Sequence, residues 1–435
     1  MSAKYPRDLT VSIRKQLSSR RENPPSLSIL TELFETLYFA SLKREETEPI
    51  SCRIAFILRD NPDPKPPPRI VADRWKYFVL SEDLPFNVSN IAKLSKAVDP
   101  WGSTLAVDVN SENRLRIWGL IDQSVHYSKF VVKEASVGPE MPGMFQAVIQ
   151  GVGDIAVYKT YVLLGGLRHE SLLEKQSRVF EEGPVHEKLR TSIRIYQQRV
   201  ADLVSKEAFQ ARTHWNMSLE DEWVSTLCRI LIGIQYYGHG GAVLLSDRRD
   251  GLKPKYSLGY PRLAEALTSV GALTIKNTHL QETIFGKYIV PQSEKMPVYL
   301  HLDQSVVNAN LEAATNELTG CVRFLISLSR VDGLIWLDSS LRLRGFGVEI
   351  KVSDDPGRVV KALNTAGTKT SVLNPEQFGM RHRSMMRYCG TNSESVGFVV
   401  SQDGDVRAIM NFRNRVVLWE NVRLQRILLA KPTKS

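Results

Sequence analysis

The feature that most constrains the fold is the rhythm of the second half. Between about residues 218 and 410, short apolar runs alternate with segments whose apolar residues recur every three or four positions. Unbroken or period-two apolarity suits strands and a 3.6-residue period suits helices, so the alternation favours an α/β sheet with helices on its faces. A serine with an acid three residues on, Ser218-Leu219-Glu220-Asp221, opens a helix carrying Trp223, Leu227, Ile230, Leu231 and Ile234, with its end expected at Gly238. A strand at 242–245, a helix at 262–269, a hairpin of 284–290 with 298–302, and a long helix at 307–329 are expected next. Strands at 333–337 and 343–350 flank the turn Asp338-Ser339-Ser340, and helices are predicted near 358–363 and 377–388. The last strands, 395–401 and 406–410, join at Gln402-Asp403-Gly404-Asp405.

The first half reads differently. A polar stretch with Asn23-Pro24-Pro25 precedes Leu30, Leu33, Phe34, Leu37, Tyr38 and Leu42, which share one helix face. A strand-like run at 52–58 is closed by the proline-rich 61–68. Further strands are expected at 103–109, 115–120, 145–150 and 155–164, with Asn110-Ser111-Glu112-Asn113 as a hairpin turn. Gly165-Gly166 breaks the composition, and 170–211 is charged and helix-prone, with Gly183-Pro184 expected to interrupt it. The organisation predicted is an N-terminal α+β domain at 1–165, a helical connector at 166–215 and an α/β domain at 216–430, domain sizes in the usual range for a chain of 435 residues. No internal repeat is visible.

Composition narrows the function classes. The apolar share of 43% and charged share of 24% are those of a globular protein. No apolar run reaches the ~18 residues of a membrane span, and Met1-Ser2-Ala3-Lys4-Tyr5-Pro6 lacks the apolar core of a secretory signal. Cys52, Cys228, Cys321 and Cys389 are dispersed, with no zinc or disulfide spacing, which points to the cytoplasm. Against 47 acidic residues stand 57 basic ones, so a polyanionic partner is admitted. The basic residues are mostly scattered. Their one concentration is the tail with Arg413, Arg415, Arg423, Arg426, Lys431 and Lys434, so nucleic acid is disfavoured as the partner. Trp75, Trp101, Trp118 and Trp336 suit core positions, and His126, His169, His186, His214, His279 and His301 show no metal-ligand spacing.

Three elements of the second half carry candidate chemistry. His239-Gly240-Gly241 runs into the strand Ala242-Val243-Leu244-Leu245, where missing Cβ atoms let a backbone approach a flat ring or a phosphate. Asp332-Gly333 places a carboxylate at the mouth of a buried strand, suited to Mg²⁺ or Mn²⁺ on a nucleotide's phosphates. Phe378-Gly379-Met380-Arg381-His382-Arg383-Ser384 puts two guanidiniums and an imidazole at an expected helix start. Each also has a plainer reading: a helix cap, an ordinary turn, a solvated basic face.

In this order, and followed by Asn392-Ser393-Glu394 and the hairpin around Val396 to Gly404, the elements resemble the diadenylate cyclase (DAC) domain, the catalytic module of the DNA-integrity scanning protein. The resemblance covers about residues 216–425. The first half, through stretches such as Leu30 to Leu42 and Asp73-Arg74-Trp75, is similar to a DAC-associated group described as a probable sensor domain, DACNV. The resemblance implies that Asp332 binds metal and activates a 3′-hydroxyl, and that Arg381, His382, Arg383 and Ser384 hold phosphates. It sets Gly241, Leu244 and Gly333 against the nucleotide and implies a head-to-head homo-oligomer joining two ATP into cyclic di-AMP. Leu334 stands where the family has alanine, Ser384-Met385 replaces small residues, and 272–302 looks like an insertion. Three functions are therefore carried forward: a DAC-like sensor of an adenine nucleotide or dinucleotide, an active diadenylate cyclase, and a nucleic-acid-binding regulator.

Overall fold

The computed structural model describes residues 3–424, apart from 21, 46, 65–73, 99–101, 124–141, 160–161, 169–170, 174–175, 205–214, 238, 290–295, 353–354 and 402–404. The turn expected at 402–405 lies outside these residues except for Asp405. Residues 65–68 of the proline-rich 61–68, Asp73, His169, Glu170, Trp101, His126, His214, Gly238 and the basic residues after Leu424 lie outside them as well. The fold is mixed α/β, in two compact units built on Met1–Gln176 and Ser177–Arg426.

In the first unit, helix α1 (Pro6–Ser19) begins on a proline, whose fixed φ suits a first turn. Ser26 caps α2 (Leu27–Ser41) by accepting the Ile29 N–H, and Asn87 caps α3 (Val88–Ser95) by accepting that of Asn90. A small hairpin joins β1 (Arg44–Glu45) to β2 (Glu48–Pro49). The main sheet holds β3 (Cys52–Phe56), β4 (Lys76–Pro85), β5 (Ser103–Val109), β6 (Leu115–Asp122), β7 (Phe145–Gly151), β8 (Asp154–Lys159), β9 (Val162–Arg168) and β10 (Ser171–Leu173). Their order is β10-β9-β8-β7-β3-β5-β6-β4, with β3 and β5 parallel and the other neighbours antiparallel. Leu30, Leu33, Phe34 and Leu37 of α2 share a core with Ile54, Phe56, Phe145 and Ala147. Trp75 and Trp118 sit in a separate cluster with Ala55, Ile57 and Ala106, and the Trp118 indole donates to the Ile57 carbonyl at 2.9 Å. The run expected as one strand at 155–164 is two antiparallel strands, β8 and β9.

In the second unit, α4 (Gly183–Leu203), α5 (Trp215–Tyr236), α6 (Arg262–Ile284) and α7 (Val298–Leu328) pack with one face of a nine-stranded sheet, and α8 (Met380–Thr391) covers the other. The strands are β11 (Gly241–Leu245), β12 (Leu252–Tyr260), β13 (Leu334–Leu337), β14 (Leu343–Ile350), β15 (Val359–Ala362), β16 (Thr370–Val372), β17 (Val396–Val400), β18 (Val406–Asn411) and β19 (Val416–Trp419). Their order is β12-β14-β13-β11-β17-β18-β19-β15-β16, with β11–β13 and β15–β19 parallel. Side chains alternate across β11: Val243 and Leu245 join the α4–α7 core, while Ala242 and Leu244 join Met385, Met386 and Tyr388 beneath α8. The unit closes on itself, because Ser177 donates its N–H to the Asn421 carbonyl and accepts the Arg423 N–H, both at 2.9 Å, beside an isolated parallel bridge to Val422.

Several expectations are corrected here. The chain parts between Gln176 and Ser177, and α4, placed by sequence in a connector at 166–215, is core of the second unit through Val185, Leu189, Ile193 and Val200. Gly183-Pro184 starts that helix instead of interrupting it: Gly183 takes φ 87°, and Pro184 fills the first turn. Helix α5 begins at Trp215, ahead of the Ser218 signal, and α6 runs to Ile284. In place of the hairpin expected from 284–290 and 298–302, the described residues form a π turn at Phe285–Ile289 and the start of α7 at Val298, while 290–295 lie outside the described residues. The helix expected at 358–363 is strand β15, held between β19 and β16. Among the described residues no helix is long and apolar enough to cross a membrane.

Candidate functional site

Parallel pairing sets Val243 of β11 beside Ile335 of β13, so the residues leading into the two strands emerge at the same end of the sheet. His239-Gly240-Gly241 and Asp332-Gly333 are those residues. Arg381, in the first turn of α8, reaches both: one guanidinium nitrogen donates to the His239 carbonyl at 3.4 Å and the other to Asp332 Oδ1 at 3.5 Å. The three sequence elements therefore meet. Both contacts are at the long limit of hydrogen bonding, and the Asp332 side chain is 85% exposed. The Lys255 ammonium lies 3.5 Å from the Asp332 carbonyl, and Arg330, two residues upstream, stands over the Tyr237 ring. One cation, Arg381, thus faces the Asp332 carboxylate, and a second, Lys255, lies at the backbone carbonyl of the same residue.

The glycines have packing reasons of their own. A Cβ on Gly241 would lie 2.7 Å from the Ile234 side chain of α5, so its bare face receives a helix on the side of the sheet away from α8. Gly333 has φ 122°, and a Cβ there would lie 2.4 Å from the Gly347 carbonyl carbon of β14. These positions set backbone spacing rather than a surface for a flat ring. Leu244 is fully buried beneath α8, and Leu334, in the same core, takes up its extra bulk by packing there. Trp336 is core too, its indole donating to the Ser246 carbonyl at 2.7 Å.

Arg383 does not join Arg381. Helix α8 starts at Met380, so both arginines are already helical, and residues two apart diverge by roughly 200°. Arg383 pairs with Glu376 at 2.7 Å instead. His382 points inward, 8% exposed, with its Nε2 3.0 Å from Arg407 and its ring against Phe378. Burial, then the charges of Arg407 and Arg381, hold its pKa down to about 4, so at neutral pH it accepts from Arg407 as a neutral ring. Arg407 is itself paired with Asp405 at 2.9 Å. The Ser384 hydroxyl turns back to the Met380 and Arg381 carbonyls. Lys255 and the His239 carbonyl were missed by sequence reasoning; the alternation of Lys253, Pro254 and Lys255 in a strand beside β14 was the available signal.

A divalent cation takes about six oxygen ligands. Asp332 supplies one carboxylate, already facing a guanidinium, and among the described residues no three His, Cys, Asp or Glu side chains gather. These residues do not fit Mg²⁺ or Mn²⁺ on their own, and no step is routed through one.

Neither a curated protein nor a solved structure gives a significant match to the chain. Residues 19–122, from the end of α1 to the end of β6, match a family model described as a probable sensor domain, DACNV.

Proposed function

We propose that the chain is a sensor whose second unit binds an adenine nucleotide or a linear or cyclic dinucleotide, its phosphate held by Arg381 where that side chain lies between His239 and Asp332. The observation that carries this reading is the Arg381 guanidinium, held by two long contacts between the two strand ends. An exposed ion pair of that kind contributes little to stability, whereas charge-assisted bonds to phosphate are worth roughly 1.5–3 kcal/mol each. A phosphate can therefore take Arg381 from Asp332 at small cost, with Lys255 as a second cation. The match of residues 19–122 to a probable sensor domain agrees with this role. The cyclase reading draws on the same meeting of Asp332 and Arg381, but it asks both arginines to serve one triphosphate, and Arg383 is engaged with Glu376.

Calorimetric titration with ATP and cyclic di-AMP tests the proposal. Arg381→Ala is expected to weaken binding about tenfold to a hundredfold, Arg381→Lys to restore part of it, and Arg387→Ala to change little. Asp332→Asn should leave affinity unchanged or raised, since the carboxylate competes for Arg381. No binding by the wild type would overturn the reading. Synthesis of cyclic di-AMP from ATP and Mn²⁺, lost in Asp332→Asn, would make the protein a cyclase. DNA affinity falling linearly with salt on logarithmic axes would favour the nucleic-acid reading.

A further inference from the structure

Helix α7 carries two apolar seams. Leu300, Gln304, Val307, Leu311, Ala314 and Leu318 follow a four–three spacing and are buried or half-buried, several in the core shared with α6. A second seam, Tyr299, Leu302, Val306, Ala309, Ala313 and Asn316, repeats at three–four spacing on exposed positions. Tyr299, Leu302 and Val306 are 60%, 61% and 59% exposed. Such spacing is the signature of a helix that meets another helix.

We propose that this seam is the interface of an antiparallel dimer in which α7 of one chain packs on α7 of a second copy. The order of sizes along the seam commits it to a copy of itself. A twofold axis between Val307 and Asn308 sets Tyr299 opposite Asn316, Leu302 opposite Ala313 and Val306 opposite Ala309, a large residue against a small one in every layer. The flanks agree: Asp303 falls near Asn310 and Ser305 near Glu312 of the second copy, so no like charges face each other. Residues 298–311 contain Asp303 as their single Asp, Glu, Lys or Arg in a chain that is 24% charged, the depletion expected at the centre of an interface. A helix that lies on a membrane carries lysines and arginines on its polar face, and residues 298–311 contain none. The seam is about 26 Å long at 1.5 Å per residue. Two such strips bury on the order of 1,000 Å², the low end for specific association, so the dimer dissociates on dilution.

Sedimentation of the full chain over about 1–100 µM tests this, a range centred on micromolar dissociation constants. The average mass should rise from one chain to two. With Leu302→Glu and Val306→Glu together it should stay at one, with an unchanged circular dichroism spectrum. Should that variant misfold, register is read from cysteine pairs, because the four native cysteines are buried. Chains carrying Leu302→Cys mixed with chains carrying Ala313→Cys should link readily under diamide, and either alone should link poorly. A single-chain mass at every concentration overturns the proposal, whether or not that monomer binds lipid vesicles or another protein. So does a dimer unaffected by the glutamates, or Leu302→Cys linking to itself as fast as to Ala313→Cys.

Discussion

His382 is an imidazole that the fold keeps neutral, with Arg407 against its ring and Arg381 beside it in sequence. Its folded pKa of about 4 lies below the ordinary value of 6.5. Between those values the unfolded chain takes up a proton that the folded chain refuses. The contribution to stability is therefore whole above about pH 6.5 and is lost as pH falls towards 4. His382→Gln, whose amide oxygen can still accept from Arg407, should flatten the loss of stability between pH 7 and 5 in urea melts. Equal slopes for variant and wild type would mean that the folded protein protonates His382. The residues that sequence brought together correctly, Asp332 and Arg381, sit in short motifs at predicted strand and helix starts. Arg383, which the resemblance sets beside Arg381, turns to Glu376 for a physical reason. Its direction relative to Arg381 depends on whether the helix begins before or after the motif, a one-turn question that composition does not answer.

At the level of elements, what was legible followed periodicity. The strand 103–109 and the helix around Leu30 to Leu42 carry their signals locally, and both formed as expected. The apolar runs at 284–290 and 298–302 are short enough to suggest a hairpin, yet Phe285–Ile289 is a π turn and Val298–Leu302 opens α7. Val359–Ala362 became a strand because a parallel neighbour, β19, was there to receive it. Two glycines separate the demands of these elements. Gly320 sits in α7 with no atom within 4 Å of where a Cβ would stand, so Gly320→Ala should stabilise by about 0.5–1 kcal/mol. Gly333→Ala meets both an unfavourable φ and the Gly347 backbone, and should destabilise by about 2–4 kcal/mol. Paired denaturant melts decide both signs.

The molecule as a whole has separate cores, one around Leu33 and Phe145, the other around Trp223 and Val243. Chains of that kind depart from two-state unfolding. Calorimetry should show two transitions, with Leu33→Ala lowering one and Leu227→Ala the other. A nucleotide bound at Arg381 should raise only the transition that Leu227→Ala lowers. One cooperative transition shifted by both substitutions would refute the division. The Ser177 clasp carries a consequence beyond stability. Chain enters the second unit at Ser177 and reaches Asn421 and Arg423 within hydrogen-bond distance of that same residue. Tension drawn through the two flanks would load this short seam first and leave the nine-stranded sheet slack. The unit is wired as a closed ring, which a host loop could accept as an insertion with its own ends barely moved apart.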